Sequence, residues 1–295
     1  MRQLTVHVNG IDMFLRAVGN PQAPLVLFLH GFPEYSGAWD EVLPAFAPKF
    51  HAVAPDQRGY ARSSKPEGLE PYRVKNLVRD VLALGEHLSP GRPFAVVGHD
   101  WGASVAYATA IVAPSRISRL AVINGVHPGP FQRALIEDEA QRKASTYMHH
   151  LRDPEAEEHL SANNFEKLLA MLSRFGPQPW LTPDKRAQYL QAWSPPGALT
   201  AMLNWYRASP LLVPQPGDTV DPSRVMKLDP AQLRVRMPHL VIWGMDDRAL
   251  LPVSRATLAD YCDDLSVREI EGADHWVVHQ RTAEVVGLLQ DFLGG

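Results

Sequence analysis

The sequence predicts an α/β protein: one mostly parallel sheet flanked by helices, with a mainly helical insertion. Three observations lead there. Short apolar runs recur along the chain: "PLVLFLHGFPE", "HAVAPDQRGYARS", "FAVVGHDWG", "RLAVINGVHPG", "PHLVIWGMDD" and "SVREIEGADHW". Runs this short, apolar on both faces and separated by helix-length segments, read as buried parallel strands. Between Gly129 and about Arg234 the rhythm stops, and a long charged, helical stretch takes its place.

The elements follow in chain order. "LTVHV-NG-IDMFLRAV" is an opening hairpin, with Asn9-Gly10 as a turn of the primed type. The next two strands end at His30-Gly31 and at Asp56. "KNLVRDVLALGEHL" places its apolar residues near a helical period. Further strands end at Asp100, near His127, at Asp247 and at His275. Between His127 and Asp247, "FQRALIEDEAQRKASTYMHHLRDPEAEEHLSANNFEKLLAMLSRF" is helical, and prolines from Pro177 to Pro216 then break the pattern repeatedly. The expected division is a core of residues 1–128 and 235–295 with a helical cap at 129–234. Open α/β sheets place their sites at the carboxyl ends of strands. Every charged or aromatic cluster just named lies at such an end.

Composition limits the function. With 295 residues, 45% hydrophobic and 21% charged, the chain can bury a sizeable core. Its net charge of −3 is interspersed, and no basic block suggests a nucleic-acid partner. Cys262 is the only cysteine, so neither an intramolecular disulfide nor a cysteine-based metal cluster can form. His149, His150 and His159 have no ligand partners at metal-site spacing and read as solvated helix faces. No metal or cofactor is expected. The N-terminal "MRQLTVHVNGIDMF" alternates polar and apolar residues, and no apolar run nears the ~18 residues of a membrane span. A cytoplasmic protein with a small-molecule partner is the expectation. Oligomeric state is silent.

The most informative stretch is "FAVVGHDWGAS", Phe94–Ser104. It has the shape of the nucleophile elbow G-x-S-x-G, a sharp strand-to-helix turn that exposes the central side chain. Here the centre is Asp100. A carboxylate can attack a saturated carbon and form an alkyl ester, whose own carbonyl then accepts water. A serine would leave a stable ether. Ester hydrolysis needs a general base and an oxyanion hole. His275, in "GADHWVVH", is the base candidate, and Asp247, in "WGMDDRALLP", is the acid that orients it. Asp247 is preferred over the adjacent Asp246 because the second Asp matches the G-x-x-D spacing after that strand. The order Asp100, Asp247, His275 is nucleophile, acid, base. The backbone N–H groups of Phe32 and Trp101 are the candidate oxyanion hole. Glu34 reads equally as a loop carboxylate and as a holder of water near the base.

On "HGFPE", "DQRGYARS", "GHDWGA", "NWYR", "WGMDD" and "ADHW", spread over nearly the whole chain, the sequence resembles the epoxide hydrolases of the α/β-hydrolase superfamily. The resemblance implies hydrolysis of an epoxide to a vicinal diol through an Asp100 ester. It also implies two cap tyrosines that hold and protonate the ring oxygen, by position Tyr206 in "LNWYRAS" and Tyr147 in "STYMHHLRDPE", and a cis peptide at Phe32–Pro33. Phe32, Trp101, Tyr147 and Tyr206 would contact substrate. The chain departs from the pattern at Ala61, where glycine is usual. Haloalkane and haloacid dehalogenases share the Asp nucleophile and are the nearest alternative. Phe32 stands where the former carry a halide-binding asparagine, and Trp101 where fluoroacetate dehalogenases carry arginine. A non-catalytic receptor on the same fold is disfavoured by the intact triad.

Overall fold

The computed structural model describes residues 1–221 and 229–295. The hairpin forms as expected: β1 (Arg2–Val8) pairs antiparallel with β2 (Ile11–Val18). Its turn residues, Asn9 and Gly10, have φ of 47° and 73°. Two successive positive φ values are what a primed turn needs to match strand twist. The remaining strands are β3 (Leu25–Leu29), β4 (His51–Pro55), β5 (Phe94–His99), β6 (Ile117–Ile123), β7 (His239–Gly244) and β8 (Leu265–Ile270). They complete one sheet in the order β1-β2-β4-β3-β5-β6-β7-β8. β2 pairs antiparallel with β4, and from β4 to β8 all pairs are parallel.

Every residue of β3, β4, β5 and β7 is buried, as runs apolar on both faces require. β8 corrects the expectation of a buried strand. It is the sheet edge, and its Arg268 and Glu269 are exposed. β6 also ends earlier than expected, at Ile123, so the residue at its carboxyl end is Asn124 rather than His127.

Helix α1 (Val74–Leu88) buries Leu77, Val78, Val81, Leu84 and Gly85, one stripe at helical spacing. Helix α2 (Trp101–Val112) follows β5 directly. Among the described residues six α-helical elements lie between β6 and β7: α3 (Pro128–Glu137), α4 (Glu139–Ala144), α5 (Tyr147–Arg152), α6 (Ala156–Leu172, interrupted by a kink of non-helical backbone from Ala162 to Phe165), α7 (Pro183–Trp193) and α8 (Ala198–Arg207). The chain leaves the sheet and returns next door, since β6 and β7 pair from Leu120↔His239 to Ile123↔Ile242. Short α9 (Val277–Gln280) and α10 (Thr282–Gly294) close the fold.

Apolar residues pack on both faces of the sheet. Phe28, Trp39, Phe46 and Leu289 fill one side. Val96, Ala106 and Leu77 fill the other, and that cluster continues upward through Trp205, Tyr206 and Leu168 of the inserted helices. Burial of each large side chain is worth about 1.5–3 kcal/mol, so those helices are held over the sheet by shared core. Two hydrogen bonds fix their height. Trp193 Nε1–H donates to the carbonyl of Pro33 (2.6 Å), and Trp205 Nε1–H donates to that of Arg58 (3.0 Å). Arg58 is itself pinned by the buried carboxylate of Asp80 at 2.6 Å. In the same loop Ala61 has φ 40°, which explains why glycine suits that position.

Candidate active site

The β5–α2 turn sets Asp100 at φ 51°, ψ −120°, a conformation L-residues avoid. Strain of this kind persists only where the surroundings enforce it. Here close packing does so: a Cβ on Gly102 would lie 2.1 Å from the carbonyl oxygen of Leu29, and one on Gly98 would lie 2.5 Å from that of Gly102. Only glycines let the helix start this near the sheet. The Asp100 side chain consequently stands above the strand ends, 12% exposed. Phe32 N–H donates to its Oδ1 at 2.7 Å. Trp101 is the first residue of α2, so its N–H has no partner inside the helix. The Phe32–Pro33 peptide is cis.

His275 and Asp247 converge on this carboxylate from the loops after β8 and β7. His275 Nε2 lies 3.4 Å from Asp100 Oδ2, and its Nδ1 lies 2.7 Å from Asp247 Oδ2. An ionised carboxylate only accepts, so Nδ1 carries a proton toward Asp247. Asp247 is saturated with donors. Its Oδ1 accepts the N–H groups of Ala249 (2.8 Å) and Leu250 (3.0 Å), and its Oδ2 also accepts Asn124 Nδ2–H (2.8 Å). Burial alone would raise its pKa. The charge and hydrogen bond of His275, with these donors, outweigh burial and lower it. His275 is the mirror case: burial lowers its pKa, but the charges and bonds of Asp247 and Asp100 raise it well above the ordinary value. Asp246 is exposed and takes no part.

Tyr147, the first residue of α5, and Tyr206, near the end of α8, meet above Asp100 with ring centroids 6.3 Å apart. Tyr206 packs edge-on against Phe32 (5.1 Å) and Trp101 (5.0 Å). Burial first pushes both phenols upward, followed for Tyr147 by the charge of Asp100 and for Tyr206 by Tyr147 and then Asp100, so both stay protonated at neutral pH. Phe32, Asp100, Tyr147, Tyr206 and His275 line one cavity of about 40 Å³, together with Phe175, Ala249 and Trp276. The Trp101 ring instead lines a separate apolar cavity of about 250 Å³ with Ser104, Phe131 and Trp205.

Three participants lie outside the sequence reading. Asn124, at φ 34° after β6, donates to Asp247 and accepts Gly244 N–H at 2.7 Å, joining two neighbouring strand ends. Its signal was a polar residue ending the run "LAVIN". The other two, Tyr189 and His279, meet Glu34, which is buried and also contacts His99 of the elbow strand. Its Oε1 meets Tyr189 O–H (2.8 Å) and His279 Nε2 (2.7 Å), and its Oε2 meets His99 Nδ1 (3.1 Å). Burial opposes ionisation of Glu34, yet the two histidines hold its pKa well below the usual value. His99 Nε2 in turn reaches the carbonyl of His275 (2.8 Å), tying His275 to the elbow strand. His150 and His159 are exposed, and no group of three or more His, Cys, Asp or Glu among the described residues could hold a metal ion. No helix among them is long and apolar enough to cross a membrane.

Comparison with known proteins agrees with this fold. Residues 24–282 match the family model for the alpha/beta hydrolase fold. The chain is 32% identical to the AB hydrolase superfamily protein YfhM of Bacillus subtilis, over 98% of this chain and 96% of that protein. It is 31% identical to epoxide hydrolase 3 of Mus musculus, over 98% of this chain and 77% of the relative. The crystal structure of a Bacillus megaterium epoxide hydrolase bound to an inhibitor superposes with a TM-score of 0.89 at 30% identity, covering 99% of this chain and 100% of that one. An elbow that carries a carboxylate, on this sheet and among these relatives, identifies the chain as a member of the epoxide hydrolase family within the α/β-hydrolase superfamily.

Proposed function

We propose that this protein adds water to an epoxide to give a vicinal diol, through an alkyl ester on Asp100. One observation carries the reading: a nucleophilic carboxylate, a histidine and two protonated phenols line the same small cavity. Asp100 Oδ1 is held by Phe32 N–H, so Oδ2 attacks the ring carbon. As the ring C–O bond breaks, Tyr206 and Tyr147 hold the ring oxygen and supply its proton. A phenol suits this task because it is neutral at pH 7 and can donate as alkoxide charge develops.

The ester removes the negative charge of Asp100, and with it part of what raises the pKa of His275. Alkylation thereby releases the base for its work. Neutral His275, held by Asp247, takes a proton from water, and the oxygen of that water adds to the ester carbonyl. The oxyanion forms at Oδ1, where Phe32 N–H already points and Trp101 N–H would join it. Collapse expels the ester oxygen of the diol, which takes the proton back from His275, and the proton left on the new carboxyl returns to the tyrosine, restoring the Asp100 carboxylate and the phenol. In this scheme the described part of 129–234 forms the cap that brings the tyrosines, over a core of 1–128 and 235–295; residues 222–228 of that span lie outside the described residues. All steps use groups of this chain.

Dehalogenation shares the first nucleophile but needs no proton, because a halide is a weak base. Two phenols over Asp100, with no side-chain donor at Phe32, favour ring opening. The test is a panel of small aryl and alkyl epoxides against haloalkanes of equal size. Diols from the epoxides are expected. Preferential turnover of the haloalkanes would replace this reading with dehalogenation.

A further inference from the structure

The cavity over Asp100, about 40 Å³, has room for roughly three water molecules. An oxirane and its nearest atoms fill it, so the rest of a substrate must lie elsewhere. Three larger cavities are candidates for that role, and one of them, lined by Arg16, Tyr35 and Arg62, shares no lining residue with the catalytic cavity, which leaves two. The apolar one shares no lining residue with the catalytic cavity. The other, of about 370 Å³, shares Tyr147, Met171 and Arg174 with it as a common wall.

That second cavity is basic. His150, His159, Lys167 and Arg174 line it, with Asp153 as its one carboxylate. Lys167 and Met171 lie one turn apart on α6, and Arg174 lies just past its end. Asp153 Oδ1 already accepts the N–H of Glu155 at 2.8 Å. Among the described residues neither Lys167 nor Arg174 has a carboxylate within ion-pair distance. The Arg174 guanidinium instead lies over the rings of Tyr147 (5.7 Å) and Phe175 (5.8 Å), at the boundary of the two cavities. Opening a neutral oxirane gives these cations no task. In a chain of net charge −3, unpaired cations around a concave mouth focus a positive potential and attract anions.

We propose that this cavity receives an anionic group of the substrate, so that the preferred substrates are epoxides whose substituent carries a carboxylate or a phosphate. The inference rests on the epoxide hydrolase reading and narrows it. The experiment compares kcat/KM of the full chain for terminal epoxides joined by short, medium or long methylene spacers to a carboxylate, a phosphate monoester or a neutral primary amide. At one spacer length an anionic epoxide exceeds its amide by about tenfold, and the ratio shrinks as ionic strength rises. The carboxylate and phosphate arms separate the two sources of charge. Arg174→Gln and Lys167→Gln each lower the anion-to-amide ratio by about two- to fivefold, the usual scale for an exposed charge pair. Arg174→Lys, which keeps the charge, retains most of the ratio. Amides that match the anions at every spacer length would overturn the anionic site and leave the epoxide hydrolase reading standing. If folded protein turns over no epoxide, charged or neutral, the functional reading fails and this inference fails with it.

Discussion

Replacing Asp247 by asparagine separates the two halves of the proposed reaction. Every hydrogen bond at this carboxylate is received: Ala249 and Leu250 N–H at Oδ1, Asn124 Nδ2–H and His275 Nδ1–H at Oδ2. An amide offers one oxygen and one NH₂. With its oxygen on the two backbone donors, its NH₂ faces two more donors. Asn124 cannot turn to help, because its own oxygen accepts Gly244 N–H. That contact leaves a buried donor unsatisfied, at about 1–3 kcal/mol of stability. His275 can relieve its clash only by moving its proton to Nε2, so that Nδ1 accepts. In that tautomer the nitrogen facing Asp100 no longer takes a proton from water. Loss of a general base costs about 10²–10⁴-fold, and a wrong tautomer in a comparable His–Asp pair costs ~10⁴. Ester hydrolysis should fall by about that much, whereas alkylation, which uses Asp100 and the tyrosines, is affected far less. The assay is rapid mixing with an epoxide followed by intact mass. The expected product is a protein-plus-substrate adduct that persists in Asp247→Asn and equally in His275→Gln. Wild-type decay of the ester in Asp247→Asn, or loss of turnover without an adduct in both variants, would refute the reasoning.

Three further outcomes follow from the same geometry. In heavy-oxygen water the first turnover should place the label in the Asp100 carboxylate; label in the diol alone would mean direct attack by water. Tyr206→Phe should slow single-turnover alkylation by about 10²–10⁴-fold, with Tyr147→Phe milder and the double variant worst, and near wild-type alkylation in the double would remove the tyrosines from the mechanism. The raised pKa of His275 depends partly on the charge of Asp100, and the ester lacks that charge. Ester decay needs the neutral ring, so its rate should climb with pH to a plateau, with a midpoint below the pKa of His275 in the free enzyme as titrated by NMR. Decay that slows as pH rises contradicts that sign.

Local chemistry made much of the fold legible. Asn9-Gly10 specifies its turn because only certain residues adopt two positive φ values in succession. The spacing of Leu77, Val81 and Leu84 specifies the buried face of α1, because a helix repeats every 3.6 residues. The elbow is legible for the same reason: Gly98 and Gly102 are needed within a few residues of Asp100, and the contacts they permit are close at hand. Asp247 and His275 are legible as the residues that follow apolar runs, since strand ends are where such sheets present side chains.

What a run of residues does not carry is its neighbours. Arg268 and Glu269 hint that β8 is less apolar than the other strands, but only its place at the end of the strand order makes it the edge. Asn124 matters because β6 lies beside β7, which brings it to Asp247 from 123 residues away. Glu34 looked like a loop carboxylate or a water holder; packing surrounds it with Tyr189 and His279, 155 and 245 residues distant. The basic cavity is likewise invisible in sequence, because His150, His159, Lys167 and Arg174 face one space only after α6 is set against α5. The sequence by itself determined the sheet, the elbow and the candidates for nucleophile, acid and base, all written in short-range patterns of shape and polarity. Tertiary structure alone decided the distances among them, their protonation and the size of the space above Asp100, because hydrogen bonds, Coulomb attraction and packing act between groups that only folding brings within a few ångströms.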